Sequence, residues 1–368
     1  MNPSFETFWN RDTPVKPGLP SFVYTDEAFR QVENQTIFAG HWVFAGFAHR
    51  LEKVGDVEPV TVAGKPFFIV RSDEGTISAF HNVCRHRCLK LVETAKSCGR
   101  LIQCPYHRWA YDLRGRLKSA PYFSGLSRTA PEGFSMEGND LVPVRCRTWH
   151  DWVFVNVDGQ AGDFGEFIRP LENQLKGVDL SKIVPVATLD FGPLETNWKT
   201  LMENFIEPYH VQFVHQTTTS QPLVDHYTII DGHCLGSACD IDESRDVDTS
   251  GTLAVTSRFL TLFPNFVMGT YAPDQIGVHL NIPEGAGRTR QQRVIYLHES
   301  HNMPAAHIEQ IRSLWYDVHK EDHEMCERLQ QGRVSEVAAD GGSLSPHWED
   351  SVRRFQEMVV ESVSRLHN

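Results

Sequence analysis

The sequence lacks any long apolar run and any excess of positive charge. No stretch approaches the ~18 apolar residues of a membrane-spanning helix, and the longest apolar runs, 42–48 and 152–157, have the length of strands. The segment Met1–Glu6 has no basic residues followed by an apolar run, so we expect no signal peptide. The 35 Lys and Arg against 47 Asp and Glu give a net charge of −12, which argues against a nucleic-acid or membrane surface.

Other absences narrow the class of protein further. No G-x-G-x-x-G follows a predicted strand, so we expect no dinucleotide site in this chain. Eight cysteines in 368 residues are few for a disulfide framework and indicate metal ligands or free thiols in a reducing, cytoplasmic compartment. No internal repeat and no low-complexity tract is present. The length and a hydrophobic content of 40% suit two globular domains.

Four residues in the first third of the chain form the pattern C-x-H, seventeen residues, C-x-x-H: Cys84, His86, Cys104 and His107. Each half offers one thiolate and one imidazole. A Rieske 2Fe-2S cluster needs this set, because two histidines replace two cysteines on one of its irons. Tetrahedral zinc also accepts Cys2His2, but zinc fingers usually keep like ligands together. The pattern therefore favours a Rieske cluster, with structural zinc as the alternative.

The organisation of the chain predicts an α+β protein with two domains. Residues 40–158 show short β-type runs separated by Gly, Asp and Asn turns, and we expect an all-β domain there. Its cluster motifs follow the runs 77–83 and 100–103, which places both on loops at strand ends. Residues 1–39 and 159–368 would form the second domain. Its predicted helices are 195–214, 305–331 and 348–366, and its predicted strands are 255–263, 265–271 and 292–298.

A second set of candidate ligands lies in the segment 204–215. His210 and His215 are five residues apart and would diverge by about 140° on a regular helix. They converge only if the helix is distorted or ends between them, and Pro208 supplies a cause. Two ordinary half-buried histidines are the alternative.

The predicted helix 305–331 supplies a carboxylate. Its apolar stripe, in steps of three and four, includes Asp322 among these residues: Ile308, Ile311, Trp315, Val318, Met325 and Leu329. A buried carboxylate is costly unless it is paired or binds a metal. Asp322 is therefore the best third ligand, in a two-His, one-carboxylate triad of the kind that binds non-haem Fe(II), although an Arg or Tyr partner is the alternative. Asp317, Glu321 and Glu324 lie off the stripe and should be solvated.

These three elements occur in the order found in the α subunit of Rieske non-haem iron oxygenases, the ring-hydroxylating and quaternary-amine family, and the chain resembles that family over nearly its whole length. The motifs are Cys84-x-His86 with 104–109, the segment 204–215, and Glu321-Asp322 with 326–327 and 330–332. The resemblance implies an all-β Rieske domain and a catalytic domain whose antiparallel sheet is covered by helices, of the helix-grip, star-related-lipid-transfer type.

The resemblance also implies the ligand sets and the partners. Cys84 and Cys104 would hold one cluster iron and His86 and His107 the other, while the mononuclear iron would be held by His210, His215 and Asp322. Glu207 matches the bridging acid that links the iron site of one subunit to a cluster histidine of its neighbour, and Asn204 belongs to the same segment. The implied assembly is a homotrimer, with or without a small β subunit. O2 is the co-substrate, and electrons come from NAD(P)H through a separate reductase, with or without a ferredoxin.

Departures from the family pattern bear on the substrate. The first cluster loop reads Cys84-Arg85-His86-Arg87-Cys88 instead of C-P-H-R-G. Glu207 stands where ring-dihydroxylating relatives usually have Asp, and glutamate there resembles the relatives that hydroxylate or demethylate quaternary amines such as carnitine and betaines. The following Pro-Tyr-His resembles salicylate-type ring hydroxylases.

We therefore expect an oxygenase that monooxygenates or oxidatively demethylates a small organic substrate. An aromatic-ring cis-dihydroxylating dioxygenase of aromatic hydrocarbon catabolism is the alternative, and a Rieske electron carrier without catalytic iron is the remote one. The pocket should lie within 217–298. A quaternary ammonium group would favour an aromatic cage from Tyr227, Phe259, Phe263, Phe266 and Tyr271. A carboxylate could meet His226, His233, Arg245, Arg258 or His279.

Overall fold

The computed structural model of the chain describes residues 14–126, 131–218, 222–240, 256–272, 274–299 and 304–364. The chain forms two compact units, Phe38–Ala161 and the remainder, Met1–Ile37 with Gly162–Asn368. In these described ranges, none of the helices is both long enough and apolar enough to cross a bilayer.

The unit Phe38–Ala161 is built from β-strands. In the described residues its strands, β1 to β10, are Val43–Phe47, Asp56–Val62, Lys65–Asp73, Thr76–His81, Lys96–Ser97, Leu101–Gln103, Ala110–Asp112, Leu117–Ser119, Pro143–Trp149 and Trp152–Asn156. Seven pair in the antiparallel order β1-β10-β9-β4-β3-β2-β5, and β6, β7 and β8 form a small second sheet. Strands β4 and β6 end shortly before Cys84 and Cys104. Both cysteines pack in the core with Phe68, Trp109 and Tyr111.

The second unit is an antiparallel sheet with helices. Its described strands, β11 to β17, are Ile183–Leu194, His226–Asp231, Cys234–Asp240, Thr256–Leu262, Phe266–Tyr271, Gln275–Gly285 and Arg288–His298. They are ordered β11-β17-β16-β15-β14-β13-β12, so consecutive strands pair except that β11 lies beside β17. The described helices of the chain, α1 to α7, are Phe22–Thr25, Glu27–Glu33, Phe164–Gln174, Trp198–Ile206, Val211–Val214, Ala305–Gly332 and Asp350–Ser364. This α+β architecture confirms the predicted fold class.

The long helix α6 is fixed by its apolar stripe. Ile311, Trp315 and Val318 pack against Ile295 and Leu297 of strand β17, as the spacing of three and four residues predicts. The end of the predicted stripe is wrong, because Leu329 is 50% exposed. Cys326 is buried there instead, against residues of β11 and α4.

The predicted helix 195–214 is divided into two. Helix α4 begins after Asn197, whose side chain accepts from the N–H of Lys199, and it ends at Ile206. Glu207 is extended, with φ −115° and ψ 141°, because the residue before a proline is sterically excluded from the helical region. The chain turns through Pro208 and re-enters a single helical turn, α5, which separates His210 from His215. The break therefore lies one residue before Pro208.

Candidate metal centres and substrate pocket

Two loops of the first unit carry the C-x-H and C-x-x-H motifs, and their backbones are hydrogen-bonded in the same way. The N–H of Cys84 donates to the carbonyl of Leu89 and the N–H of Cys104 donates to that of Trp109, both at 2.8 Å. Each loop thus closes on itself directly after a strand. The two cysteine side chains are buried, at 1% and 2% exposure. The equivalent loops point equivalent ligands into the same core.

The unusual Cys88 fits this loop geometry. Its N–H donates to the carbonyl of Cys84 at 3.0 Å, as the N–H of Arg108 does to that of Cys104 at 3.1 Å. Cys88 and Arg108 both have left-handed backbones, with φ of 58° and 60°. Glycine adopts this conformation without steric cost, which explains why the family pattern has glycine at position 88. The thiol of Cys88 is exposed. The loop therefore keeps its fold despite the substitution.

The two histidines of these loops present matching unsatisfied nitrogens. The rings of His86 and His107 have centroids 4.6 Å apart, and Nδ1 of each is buried with no hydrogen-bond partner among the residues that the structure describes. A buried polar atom without a partner is costly, so the geometry calls for a group that accepts both lone pairs. Two thiolates and two imidazoles are the donor set of a Rieske cluster, and these side chains fit it.

Tyr111 is a neighbour of the cluster ligands that the sequence motif does not reveal. Its hydroxyl accepts from the N–H of Arg85 at 3.0 Å and lies 3.4 Å from Sγ of Cys84. Because the oxygen accepts from the backbone, its own hydrogen is free to point at the sulfur. Burial raises the pKa of Tyr111, which keeps that hydrogen in place. Hydrogen bonds to ligand sulfurs are one determinant of an iron–sulfur potential.

Three candidate ligands of the second unit converge on one point. His210 and His215 stand at either end of α5, and Asp322 comes from α6. Nε2 of His210 lies 3.4 Å and Nε2 of His215 lies 3.1 Å from Oδ1 of Asp322. One ligand atom from each of the three side chains lies within 4.8 Å of the others. The break after α4 makes this convergence possible, since a continuous helix would hold the two histidines apart.

A carboxylate fixes each imidazole of this triad. Nδ1 of His210 is 2.5 Å from Oε1 of Glu207, and Nδ1 of His215 is 2.8 Å from Oε2 of Glu321. An imidazole that donates through Nδ1–H keeps the lone pair of Nε2 for a metal. The expectation that Glu321 is solvated is wrong: its side chain is 26% exposed and also accepts from Oγ1 of Thr218 at 2.7 Å.

The electrostatics of the triad favour a cation. Burial would raise the pKa of Asp322, but hydrogen bonds from His210 and His215 hold it well below its usual range. Burial would lower the pKa of His210, yet Glu207 and Asp322 raise it to about 10. Nδ2 of Asn204 lies 3.4 Å from Oδ1 of Asp322 and helps to orient it. Two imidazoles and a carboxylate suit Fe(II), with positions left for other ligands.

A cavity of about 380 Å³ opens beside the triad. Its aromatic surface comes from Phe205, Phe259, Tyr271 and Trp315, and its polar surface includes Ser237, His226, Arg293 and His319. The size and mixed lining suit a small organic molecule.

The cavity contains some of the predicted pocket residues. Phe259, Tyr271 and His226 line it. Phe263 and Phe266 are buried elsewhere in the core, and Tyr227 is 46% exposed. Among the other charged candidates, His233 binds the carbonyl of Phe167, Arg258 is absent from the lining, His279 packs in the core against Phe205, and Arg245 lies outside the described residues.

Sequence reasoning missed several lining residues, among them Arg293, Trp315 and His319. Arg293 falls in the predicted strand 292–298, but periodicity alone did not decide which face of the sheet it occupies. Trp315 was assigned to helix packing, and it also faces the cavity. His319 is 5% exposed on the same helix. No signal in the sequence singled out Arg293, because polar residues precede it in the same strand.

Two family models match the chain. The Rieske [2Fe-2S] domain matches residues 41–130, and the ring hydroxylating alpha subunit (catalytic domain) matches residues 178–365. The chain is 26% identical over 336 residues to the chloroplastic choline monooxygenase of Atriplex hortensis, covering 89% of this chain and 74% of that one. It is 32% identical over 197 residues to the glycine betaine monooxygenase oxygenase subunit of Chromohalobacter salexigens, covering 54% of this chain and 43% of that one.

The fold is similar to those of solved structures. A quaternary ammonium Rieske monooxygenase, CntA, superimposes with a TM-score of 0.82 at 22% identity, over 95% of this chain and 96% of that one. Naphthalene 1,2-dioxygenase with indole in its active site superimposes with a TM-score of 0.77 at 19% identity, over 95% and 92% of the two chains. At these identities the similarity establishes the fold shared by both structures.

Proposed function

Because the chain belongs to the ring-hydroxylating α-subunit family of Rieske oxygenases, we propose that it hydroxylates or oxidatively demethylates a small quaternary-ammonium substrate. A Rieske 2Fe-2S cluster and a mononuclear iron are the cofactors of this enzyme class, O2 is the co-substrate, and electrons come from NAD(P)H through a reductase. The observation that carries the proposal is the convergence of His210, His215 and Asp322 beside the cavity.

Each proposed site residue has a distinct part. Cys84, His86, Cys104 and His107 would hold the cluster, and the triad would hold the iron. Bound there, Fe(II) would supply the O2 chemistry that oxygenates a neighbouring carbon. Glu207 and Glu321 hold the two imidazoles in one tautomer and one orientation, while Asn204 orients the carboxylate of Asp322. The cavity walls position the substrate and limit the access of water.

The quaternary-ammonium substrate is supported by two observations. Choline and glycine betaine are named as the substrates of the curated relatives above. The cavity is also lined by aromatic side chains, including Phe205 and Phe259, and aromatic ring faces attract a cationic methylammonium group. The aromatic lining is also the observation that favours the second candidate, cis-dihydroxylation of an aromatic ring. An electron carrier would need neither the triad nor the cavity.

The proposed partners follow from the same class. We assign Glu207 the bridging role between subunits of a homotrimer, in which electrons pass from a cluster in one subunit to the triad of the next. Its carboxylate is 12% exposed and already bound to His210, so it is held on the triad side. A separate reductase, with or without a ferredoxin, supplies the electrons. The cysteines are unpaired thiols, which agrees with the reducing cytoplasm that we propose as the compartment.

Turnover with labelled O2 tests the reaction. The iron-loaded enzyme is supplied with a reductase and NADH and offered a panel of betaines, choline and aromatic acids. Oxygenation of an N-methyl group by O2, two electrons and two protons gives an N-hydroxymethyl product and water, and the former collapses to the demethylated amine, a proton and formaldehyde. We expect one labelled oxygen in the hydroxylated product or, after demethylation, in the formaldehyde trapped as it forms, and the second labelled oxygen in water. A diol with two labelled atoms would favour the aromatic-ring dioxygenase, and an enzyme that oxygenates nothing in the panel would oppose both candidates.

A further inference from the structure

Arg293 of strand β17 is a buried cation in the wall of the cavity. Its side chain is 1% exposed, yet it lines the space beside the triad. Nη1 lies 2.7 Å from Nε2 of His319, and since a guanidinium only donates, the imidazole accepts. Nε and Nη2 are buried with no hydrogen-bond partner within the described part of the chain. One edge of the guanidinium is thus unsatisfied.

The sheet is shaped to admit this guanidinium. Gly269 and Gly277 are opposite each other on strands β15 and β16. A Cβ on Gly277 would lie 2.3 Å from Nη2 of Arg293, and a Cβ on Gly269 would lie 2.4 Å from the hydroxyl oxygen of Tyr271. Both distances are below any normal contact. Because neither glycine has a side chain, the guanidinium and the phenol lie directly against the backbone of these two strands.

The same guanidinium covers part of the aromatic surface of the cavity. Its Cζ is 3.9 Å from the ring centroid of Trp315 and 5.0 Å from that of Tyr271. Trp315 is held in place because its Nε1 donates to Gln275 at 2.9 Å. These two rings would otherwise be a good site for an ammonium group. The guanidinium of Arg293 already occupies the faces of both rings.

Neutral groups surround Arg293. Burial, together with Arg293 itself, lowers the pKa of His319 and of His279 well below the usual histidine value. Burial raises the pKa of Tyr271 more than the adjacent Arg293 lowers it. The phenol is therefore neutral and is not a counterion, although it lies close enough to interact with the guanidinium. The charge of Asp322 reaches Arg293, but the carboxylate of Asp322 is bound by the two triad histidines. An uncompensated buried charge is destabilising unless a ligand of opposite charge pairs with it.

We propose that Arg293 binds a carboxylate of the substrate, so that the cavity accepts a small zwitterion of the betaine class in preference to a cationic alcohol of the choline class, which has no carboxylate. The free edge, Nε with Nη2, is the part of a guanidinium that binds a carboxylate through two parallel hydrogen bonds. The cavity lining holds carboxylates of the triad as well as this guanidinium, so we expect a bound zwitterion to lie with its ammonium group away from Arg293. The inference rests on the proposed function for the identity of the cationic end, and on Arg293 alone for the anionic end.

Equilibrium binding to matched ligand pairs tests this without turnover. Calorimetry on the iron-loaded enzyme compares glycine betaine with its primary amide, and benzoate with benzamide. In each pair the carboxylate is replaced by a neutral group of similar shape. We expect the carboxylate of at least one pair to bind about a hundredfold more tightly than its amide, since removing one partner of a buried charge pair costs that order of affinity. Equal affinities within both pairs would overturn the proposal.

Variants then assign the preference to Arg293. Arg293→Gln should abolish the difference between acid and amide while leaving affinity for the amide nearly unchanged, and Arg293→Lys should restore part of it. Arg290→Gln on the same strand is the matched control, because its guanidinium pairs with Glu284 at 2.9 Å and is absent from the cavity lining. A preference that survives Arg293→Gln, or that is lost in Arg290→Gln as well, would contradict the assignment.

Gly277→Ala tests the position of the guanidinium separately from its charge. It keeps the charge but places a methyl group where the guanidinium lies, so it should weaken the binding of the acid and not that of the amide. An unchanged acid affinity in this variant would show that the guanidinium geometry is unimportant. The binding test and the labelled-O2 turnover test can fail independently. A preference for the carboxylate without any oxygenated product would overturn the proposed function and leave this inference standing.

Discussion

The two candidate metal centres place their ligands in opposite ways. In the first unit, short loops with the same backbone hydrogen bonds present Cys84 with His86 and Cys104 with His107. In the second unit, His210 and His215 come from a broken helix and Asp322 from a helix more than a hundred residues later. Local backbone geometry sets the first arrangement and tertiary packing sets the second. A centre of the first kind is visible as a sequence pattern. A centre of the second kind depends on side chains from distant parts of the chain, which orient its ligands.

Asp322→Ala should have the largest effect, because it should abolish one metal centre and leave the other intact. It removes the only carboxylate of the triad, so we expect loss of the mononuclear iron and of all detectable turnover. The visible spectrum of the cluster should not change, because its ligands belong to the other unit. Metal analysis with absorption spectroscopy measures both. Asp317→Ala, at an exposed position of the same helix, is the control and should behave as the unmodified enzyme.

Glu321→Gln tests whether a second carboxylate supports the triad. Glutamine still accepts from Nδ1 of His215 but carries no charge, so the imidazole becomes a weaker ligand. We expect iron affinity to fall by roughly 10- to 100-fold, the usual effect of removing such a partner. Competition with an iron chelator gives the affinity. Glu324→Gln, exposed on α6, should change nothing, and an equal loss in both variants would assign the effect to the helix instead.

Tyr111→Phe is the smallest of the three changes and applies to the other centre. The variant removes a hydroxyl that lies 3.4 Å from Sγ of Cys84. A hydrogen bond from this hydroxyl to the sulfur would stabilise the reduced, more negative cluster. We expect the potential to fall by on the order of 50 mV, since a hydrogen bond to a charged group contributes about 1.5 kcal/mol. Redox titration of the cluster absorption measures it. Tyr122→Phe, 82% exposed, is the control, and an unchanged potential for Tyr111→Phe would mean that the hydroxyl donates elsewhere.

The sequence predicted some elements of this fold and missed others for physical reasons. Helix α6 was predicted almost to the residue because its buried stripe repeats every three and four positions. Helix α4 was predicted too long, since the extended backbone of Glu207 before Pro208 outweighed the helical pattern on either side. Strands β11, β12, β13 and β16 were not predicted. Their burial depends on which neighbours cover each face, and a single sequence does not contain that information.

The same division applies to the site. The identity of the candidate ligands followed from residue type and spacing, which are properties of the chain. Glu321 was misassigned as solvated because its partner, His215, lies 106 residues away in the chain. Helical periodicity shows which residues share a face of one helix, but not which distant side chain contacts that face. The sequence alone indicated the family, the cluster motif and the candidate two-His, one-carboxylate set. Only the tertiary structure decided that Glu207 and Glu321 hold the imidazoles and that Tyr111 lies beside Sγ of Cys84. It also decided that Arg293 is buried with no carboxylate bonded to it in the described part of the chain. These contacts join elements far apart in the chain, and the packing of the strands and helices brings them together.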